Sequence, residues 1–256
     1  MTNIEKYYNK FNEDHRLKTR HGIVEFSVSM HHIKSVIGER SGLNILDLGA
    51  GTGRYSLELC DSGHNVTAVE LVKRNLEVIR SHHKKIKTWQ GNALDLSFLE
   101  EDKFDLVICF GPMYHLHTEE ERLRVLEQLK RVTKKGGVIF AAYIMNEYAV
   151  LKYCFGENKL SEVLAQGGLT EDYHCVTKDE DLYSYVRLED INLVYEKSGL
   201  KRRFLFSQEG AADYMRRELN GMDEDTFKHF IDYTVSVSRR PELLGAGTHI
   251  VDVLEV

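Results

Sequence analysis

Apolar positions follow two different periods along this chain, and the change of period divides it into elements. Short, nearly continuous apolar runs are typical of buried strands, whereas apolar residues spaced three or four apart are typical of helices. From residue 44 onwards the two patterns alternate. The predicted strands are 44–48, 65–70, 86–90, 104–110 and 137–144, and the predicted helices are 53–62, 72–82 and 118–134. This alternation predicts an α/β fold with a parallel sheet that helices cover on both faces.

Outside that central region the pattern is mostly helical, beginning with helical spacing over residues 2–40. The elements predicted after residue 145 are helices at 146–166, 188–198, 209–219 and 224–238, strands at 201–207 and 247–255, and an irregular stretch at 167–184. The sequence has no internal repeat and no Pro-rich linker. It therefore predicts a single domain over 1–256, with an N-terminal helical lid at 1–40, a core at 41–145, and cap insertions at 146–184 and 209–245.

The most informative local feature is a run of three glycines two residues apart. The apolar strand stops at Gly49, Gly51 and Gly53, and a helical pattern starts at once. A strand that turns into a helix through a loop without side chains lets a ligand touch the backbone. Glu70 ends the next strand, 17 residues after Gly53, at a spacing suited to holding a ribose. Together these residues predict a site for a cofactor that contains adenosine.

The glycine spacing distinguishes between adenosine cofactors. A dinucleotide site needs Gly-x-Gly-x-x-Gly, but Arg54 occupies the position of the third glycine, and no Gly-x-x-x-x-Gly-Lys-Ser/Thr loop is present. The Gly-x-Gly-x-Gly spacing after Asp47 instead resembles motif I of class I S-adenosylmethionine-dependent methyltransferases. Residues 111–116, Gly-Pro-Met-Tyr-His-Leu, are similar to the Gly-x-x-Tyr-His-Leu segment of many small bacterial methyltransferases. The resemblance covers about residues 40–145.

This resemblance implies a Rossmann-like sheet of seven strands, mostly parallel with the last strand antiparallel, and S-adenosyl-L-methionine as cofactor. In the family, the glycine loop lies against the methionine part and the acid after the second strand holds the ribose. The residues expected to bind the cofactor are Asp47, Gly49, Ala50, Gly51, Gly53, Arg54, Glu70, Leu71, Asn92, Ala93, Phe110 and Gly111. Arg54 has the alternative of facing solvent on its helix, and Asn92 stands where many relatives have Asp.

Methyl transfer from a sulfonium requires a nucleophile held in line with the methyl group and water kept out. Tyr114 and His115 follow the fourth strand and are the candidate catalytic residues, because an imidazole can take a proton near neutral pH. His115 has the alternative role of a hydrogen bond to loop backbone. The other candidates for substrate contact are Tyr7, Tyr8 and Phe11 in the lid, which could instead dock their helix on the core, and His249, which could instead be structural.

Composition and missing motifs narrow the range of partners. A net charge of −6 without an extended basic face argues against nucleic acid, and the Asp/Asn-Pro-Pro-Tyr and Pro-Cys motifs of base methylation are absent. The strand ends carry no clustered acids, so no metal is expected. Four scattered cysteines and an N-terminus without an apolar signal core predict a cytoplasmic protein. No apolar run is long enough to span a membrane, and we expect a monomer or homodimer.

The sequence therefore predicts an S-adenosyl-L-methionine-dependent methyltransferase that acts on O or N of a small-molecule acceptor. Two alternatives remain at this point, namely methylation of tRNA or protein, and a cofactor-binding protein without catalysis. The acceptor itself is not identified, because no motif in the cap insertions names a chemical class.

Overall fold

A computed structural model describes residues 19–82 and 85–256, which form one mixed sheet flanked by helices. The strands are β1 (Asn44–Leu48), β2 (Asn65–Glu70), β3 (Lys87–Gln90), β4 (Phe104–Cys109), β5 (Thr133–Met145), β6 (Tyr185–Val186), β7 (Lys201–Ser207) and β8 (His249–Glu255). The α-helices are α1 (Arg20–Ile37), α2 (Arg54–Asp61), α3 (Lys73–Ser81), α4 (Glu119–Val132), α5 (Asn146–Ala149), α6 (Leu160–Ala165), α7 (Leu188–Ser198), α8 (Arg216–Gly221) and α9 (Glu224–Val237). Short 3-10 helices at Pro112–His115 and Pro241–Ala246 and a π-helix at Val150–Gly156 complete the regular structure of the described residues.

The strands lie in the order β3-β2-β1-β4-β5-β8-β7. The chain starts at β1, moves outwards through β2 to β3, and then returns to β4 on the other side of β1, with every one of these pairings parallel. The strand order therefore reverses beside β1. In open sheets of this kind the ligand crevice lies outside the carboxyl ends of the strands at that reversal. The predicted cofactor residues lie in the last residues of β1 and β2 or just after β1, β2, β3 and β4, so they share this edge.

The far half of the sheet contains the antiparallel strand that the resemblance implied. β8 lies between β5 and β7 and runs antiparallel to both. The sheet has eight strands rather than the predicted seven, because the two-residue β6 pairs with the end of β5 through Ile144 and Tyr185. β6 pairs with the part of β5 that extends past Cys109, the last residue of β4. This short strand brings the segment before it next to the loop that follows β4, since the Ser184 N–H donates to the Tyr114 carbonyl at 2.8 Å.

Alternate residues of the strands feed two separate cores on the two faces of the sheet. On one face, Ile139 and Tyr143 of β5 pack with the buried sides of α4 and α7. On the other, Phe140 and Ala142 pack with α1, α2 and α9. The period of two along a strand buried on both faces explains why β5 reads as a continuous apolar run in the sequence.

Several elements differ from their predicted bounds. The helical stretch expected at 146–166 is divided into α5, the π-helix and α6, and the helix expected at 209–219 is present only as α8, after turns over 209–215. The range 1–40 was predicted as a lid. Within it, α1 belongs to the core, with Val24 and Ile33 fully buried, and residues 1–18 lie outside the described part of the chain. Among the described residues, none of the helices is long and apolar enough to cross a membrane.

Candidate active site

A cavity of about 300 Å³ opens at the edge of the sheet where the strand order reverses. Its wall is formed by the loops after β1, β2, β3 and β4, together with Glu25 of α1 and Glu121 of α4. The predicted site residues on this wall are Asp47, Gly49, Ala50, Gly51, Arg54, Glu70, Leu71, Asn92, Ala93, Phe110, Gly111, Tyr114 and His115. Gly53 and His249 are not part of the wall. Tyr7, Tyr8 and Phe11 lie outside the described residues.

The glycine loop after β1 requires glycine for two physical reasons. Gly49, Gly51 and Gly53 all have positive φ angles, of 73°, 54° and 87°. A Cβ on Gly49 would also lie 2.6 Å from Pro112 Cδ, and one on Gly53 would lie 2.6 Å from Ile79 Cγ1. Gly49 therefore lets the β1 and β4 loops meet. Gly53 shapes the turn into α2 and packs against α3, which explains its place behind the cavity wall.

Glu70 ends β2 and holds the glycine loop in place. Its carboxylate accepts the Gly51 N–H and the Val72 N–H, each at 2.8 Å. Burial raises the pKa of this carboxyl, while the backbone hydrogen bonds oppose the shift. The Asn75 side chain and the Leu71 backbone also hydrogen-bond this carboxyl. Glu70 therefore supports the loop from the cavity wall, where a carboxylate is suited to accept from ribose hydroxyls.

Asp47, in β1, supports the same loop through a hydrogen bond to the helix that follows it. Its Oδ2 accepts a hydrogen bond of 2.6 Å from the Ser56 hydroxyl in the first turn of α2. Burial raises the pKa of Asp47 to about 6, the Ser56 bond lowers it in part, and the nearby Glu70 raises it further. Asp47 thus ties the strand to the helix that follows the glycines. Ser56 was not predicted from the sequence.

Arg54 lies on the cavity wall rather than pointing out into solvent. Its guanidinium carbon stands 4.1 Å from the centroid of the Phe26 ring, which orients the side chain by a cation–π contact. Phe26 belongs to α1, which the sequence had assigned to the lid. A cation held at this point of the wall is suited to a ligand carboxylate.

The wall beyond Glu70 is mixed in character. Leu71 and Ala93 supply apolar surface, and Asn92 is an exposed residue whose Oδ1 accepts the Leu94 N–H at 3.0 Å. An amide oxygen has two lone pairs, so Asn92 can accept a further bond from an adenine amino group. Asn75 of α3 also lines the cavity and was not predicted.

The loop after β4 carries the aromatic residues of the site. Phe110 lies edge-on to Tyr55, with ring centroids 5.1 Å apart. Tyr114 lies 5.9 Å from the ring of Tyr183, a residue of the segment that β6 holds in place. His115 stacks on the same Tyr183 ring at 5.2 Å. The order of this loop therefore depends on residues far along the chain.

His115 is fixed at one of its two ring nitrogens. Nδ1 donates to the Leu182 carbonyl at 2.8 Å, so Nε2 keeps the lone pair. Burial lowers the pKa of His115 to about 4. The imidazole is therefore neutral at pH 7, and part of its role is the backbone anchor that the sequence left open as an alternative.

His249 belongs to a second polar group, at the edge of the cavity. Its ring centroid is 5.8 Å from that of Tyr114, and its Nδ1 lies 3.0 Å from Glu209 Oε2. Glu25 links this group to the cavity, because it is a wall residue and one of its carboxylate oxygens lies within 4.8 Å of donor atoms of both Glu209 and His249. Within residues 19–82 and 85–256 these three side chains are the only set close enough to share a metal ion.

Comparison with known proteins connects this cavity to a family. A family model for a methyltransferase domain matches residues 45–137, the stretch from β1 to the start of β5 that builds the cavity wall. The ubiquinone biosynthesis O-methyltransferase of Leptothrix cholodnii is 22% identical over 196 residues, which are 73% of this chain and 81% of that protein.

The demethylmenaquinone methyltransferase of Lactococcus lactis is 35% identical over 109 residues, which are 40% of this chain and 42% of that protein. The chain is a class I S-adenosylmethionine-dependent methyltransferase. The fold agrees, since the structure of an S-adenosylmethionine-dependent methyltransferase from Mesorhizobium loti matches with a TM-score of 0.59 at 14% identity, over 91% of this chain and 100% of that one.

The cavity of the methyltransferase suits its cofactor, S-adenosylmethionine, in the charge of its wall and in the bare backbone of its glycine loop. Its wall includes four acids, Glu25, Asp47, Glu70 and Glu121, and one arginine, Arg54. The cofactor carries a sulfonium, an ammonium and one carboxylate, so a largely acidic wall with a single guanidinium complements it. The bare backbone at Gly49 and Gly51 leaves room that a side chain would fill. The cofactor supplies an activated methyl group, and the chain must position the acceptor and exclude water.

Sequence reasoning missed three acids at the methyltransferase site, Glu25, Glu121 and Glu209, and the signals for Glu209 and Glu25 differ. Glu209 comes two residues after β7, and Glu70 is the last residue of β2. A search for acids at the ends of all strands, including β7, would therefore have found Glu209. Glu25 carries no such signal. It lies in the second turn of α1 between apolar residues, and only the packing of that helix against the sheet brings it to the cavity.

Proposed function

We propose that this methyltransferase transfers a methyl group to an oxygen or nitrogen of a small-molecule acceptor. The observation that carries the proposal is the size and lining of the cavity. Tyr114, His115 and Glu25 line the same space as the glycine loop, and the whole space is about 300 Å³. This volume is at the small end of the range for small-molecule sites. The relatives named for ubiquinone biosynthesis and demethylmenaquinone support the same class of acceptor.

Tyr114 and His115 are the residues we place beside the reacting atoms. Tyr114 lines the cavity together with the glycine loop, and its ring lies 5.8 Å from that of His249, so it can face a cationic sulfonium. His115 offers the lone pair of Nε2 as a hydrogen-bond acceptor. Its pKa of about 4, lowered by burial, makes it a weak proton acceptor, so we assign it to orienting the acceptor.

The cofactor residues keep their predicted roles in this proposal. Gly49, Ala50 and Gly51 contact the methionine part, Arg54 pairs with its carboxylate, and Glu70 holds the ribose. Leu71, Asn92 and Ala93 receive the adenine. Tyr7, Tyr8 and Phe11 remain candidates for a lid over the acceptor, and Gly53 acts through the shape of the loop.

We further propose that the protein works in the cytoplasm, as a monomer or homodimer, without nucleic acid as partner. All four cysteines (Cys60, Cys109, Cys154 and Cys175) are free thiols, which suits a reducing compartment. The net charge of −6 opposes binding to a phosphate backbone.

The test is an incubation of the protein with methyl-labelled S-adenosylmethionine and a fractionated metabolite extract. We expect label in one small-molecule fraction, and mass spectrometry of the product then identifies the acceptor. The matched control adds tRNA and total protein to the same reaction. Label that accumulates only in tRNA or protein would support the alternative acceptors and overturn the proposal.

A further inference from the structure

Glu209 holds His249, the first residue of β8, at two points. Its Oε1 accepts the backbone N–H of His249 at 2.6 Å, and its Oε2 lies 3.0 Å from His249 Nδ1. A carboxylate can only accept in this contact, so Nδ1 carries the proton and Nε2 keeps the lone pair. Glu209 is 3% exposed, which removes competing water from these bonds. One buried residue thus sets both the position and the tautomer of the imidazole.

The pair lies beside the cavity wall, next to Glu25 and Tyr114. Glu25 lines the cavity and reaches within 4.8 Å of both partners, and the Tyr114 ring is 5.8 Å from the His249 ring. Glu70 and Asn92, the expected ribose and adenine ligands, follow strands on the opposite side of β1. The sheet therefore separates a proposed cofactor side, built by β1 to β4, from a side where β7 and β8 present Glu209 and His249.

We propose that His249 is the catalytic base of the transfer and that Glu209 is the residue that positions it. His249 Nε2 takes the proton from an acceptor hydroxyl or amine while the acceptor oxygen or nitrogen forms its bond to the methyl carbon. The electron pair of the broken carbon–sulfur bond stays on sulfur, which leaves as a neutral thioether. The imidazolium formed is stabilised by the Glu209 carboxylate and returns its proton to solvent. This inference rests on the proposed function.

The charges around the pair indicate the class of acceptor. Glu25 and Glu209 place two buried carboxylates beside His249. An acceptor carboxylate would be repelled there and has no proton to give to a base. A hydroxyl or an amine fits both the charge and the chemistry, and an amine can also donate a hydrogen bond to Glu25.

A metal ion is the competing occupant of the same three side chains. Glu209 uses both oxygens to accept hydrogen bonds from His249, and Nδ1 carries a proton in the contact. Shared coordination by Glu209 and the Nδ1 of His249 would break that bond. The arrangement therefore favours the base over the metal site.

The first measurement is the tautomer of His249 by ¹⁵N NMR, in protein labelled at histidine and bound to S-adenosylhomocysteine. We expect the Nδ1–H form, with the signal assigned by its loss in His249→Gln. Glu209→Gln should shift the imidazole towards a mixture of tautomers. An Nε2–H imidazole in the wild-type protein would overturn the proposal, whatever the activity. So would stoichiometric Mn²⁺ binding, seen by electron paramagnetic resonance, that His249→Gln abolishes.

The second measurement is turnover of the acceptor purified from the labelled metabolite fraction. We expect His249→Gln to lower kcat at least 100-fold with S-adenosylhomocysteine affinity within threefold of wild type, the pattern of an interaction used in the transition state. Glu209→Gln should lower kcat at least 10-fold, and Glu209→Asp should recover part of that loss. His174→Gln is the matched control, because His174 is paired with Asp190 outside the cavity wall and its loss should leave kcat within twofold.

The outcomes separate this inference from the function on which it rests. If the wild-type protein labels no small molecule, both the proposed function and the catalytic role of the pair fail. If it labels one and His249→Gln retains its kcat, the proposed function stands and the pair is overturned alone. Retained affinity for S-adenosylhomocysteine shows that each variant is folded.

Discussion

At the scale of single residues, the buried carboxylates of the cofactor half both hold the glycine loop and line the cavity. Glu70 accepts two backbone N–H groups and also faces the cavity, and Asp47 holds the Ser56 hydroxyl. Burial raises the pKa of both acids. Their loss therefore affects the loop that surrounds the ligand as well as the ligand itself.

The first prediction concerns Glu70→Ala. The change removes the expected ribose acceptor and leaves the Gly51 and Val72 N–H groups without their carboxylate. Affinity for S-adenosylhomocysteine should fall by roughly 2–3 kcal/mol, because charge-assisted bonds are lost. Titration calorimetry measures the effect. Glu77→Ala, an exposed acid of the neighbouring α3, is the control and should bind like wild type. An affinity within threefold of wild type for Glu70→Ala would remove Glu70 from the ribose site.

The second prediction separates the two reasons for glycine at position 49. Gly49 and Gly63 both have positive φ, but a Cβ on Gly63 meets nothing within 4 Å, whereas one on Gly49 meets Pro112 at 2.6 Å. Gly63→Ala should cost about 1–2 kcal/mol of unfolding free energy from backbone strain alone. Gly49→Ala should cost roughly 1–3 kcal/mol more, because it also overpacks the loop contact. Urea denaturation compares them, and equal losses would show that the Pro112 contact is easily relieved.

At the scale of elements, the sequence was most informative where local pattern decides the structure. β1, β2, α7 and β7 lie within a residue or two of their predicted bounds, because their apolar periods match their burial. The helix expected at 209–219 was wrong for a tertiary reason. Gly210 adopts a φ of 52° and the Glu209 side chain is directed to His249, so the chain turns before α8 begins. His249 is 40 residues away from Glu209, so this contact does not affect the local pattern of apolar residues from which the helix was predicted.

The third prediction concerns the ion pair that joins β7, β8 and α7. Arg202 donates two hydrogen bonds to Asp252, of 2.8 and 2.6 Å, and another to Asn192 of α7. Asp252 is 1% exposed. Arg202→Met leaves a buried carboxylate without its cation and should cost roughly 3–5 kcal/mol of unfolding free energy. The control is Arg203→Met, whose partner Glu255 is more exposed, and it should cost under about 1 kcal/mol. Denaturant unfolding measures both.

The loss of unfolding free energy in Arg202→Met should also depend on pH. Burial already raises the pKa of Asp252 in the folded protein, although Arg202 opposes the shift. Without Arg202 the folded pKa rises further above the unfolded value, so the native state binds the proton more tightly and stability falls as pH rises through that range. Arg202→Met should therefore be less destabilised at pH 5 than at pH 8. A penalty that is equal at the two pH values would contradict this account.

At the scale of the whole molecule, the two halves of the site differ in how far sequence could define them. The cofactor half is built from strand ends within residues 47–111, where glycine spacing and an acid after a strand are local signals. The proposed acceptor half combines Glu25 of α1, Tyr114, Glu209 and His249, which come together only when helix and sheet pack. His249 was a candidate from its place at the last strand, but its partner Glu209 emerged only from the fold.

The last prediction uses the stability of the whole protein to test the cofactor. A ligand that binds only the folded state at 100 times its Kd adds about 2.7 kcal/mol, which for a protein of this size raises the melting temperature by roughly 5–10 °C. S-adenosylhomocysteine should do so at pH 7.5, and NAD at the same concentration should not.

The rise in melting temperature caused by S-adenosylhomocysteine should also depend on pH, in a direction set by Glu70. Burial raises its pKa in the ligand-free fold, and ribose hydroxyls donate best to the ionised carboxylate, so binding releases a proton where Glu70 is partly protonated. Lowering the pH then weakens binding. The shift caused by S-adenosylhomocysteine should therefore be smaller at pH 5 than at pH 7.5 in wild type, and the difference should shrink in Glu70→Gln, which has no proton to release. A shift independent of pH in wild type would mean that the ribose does not depend on the charge of Glu70.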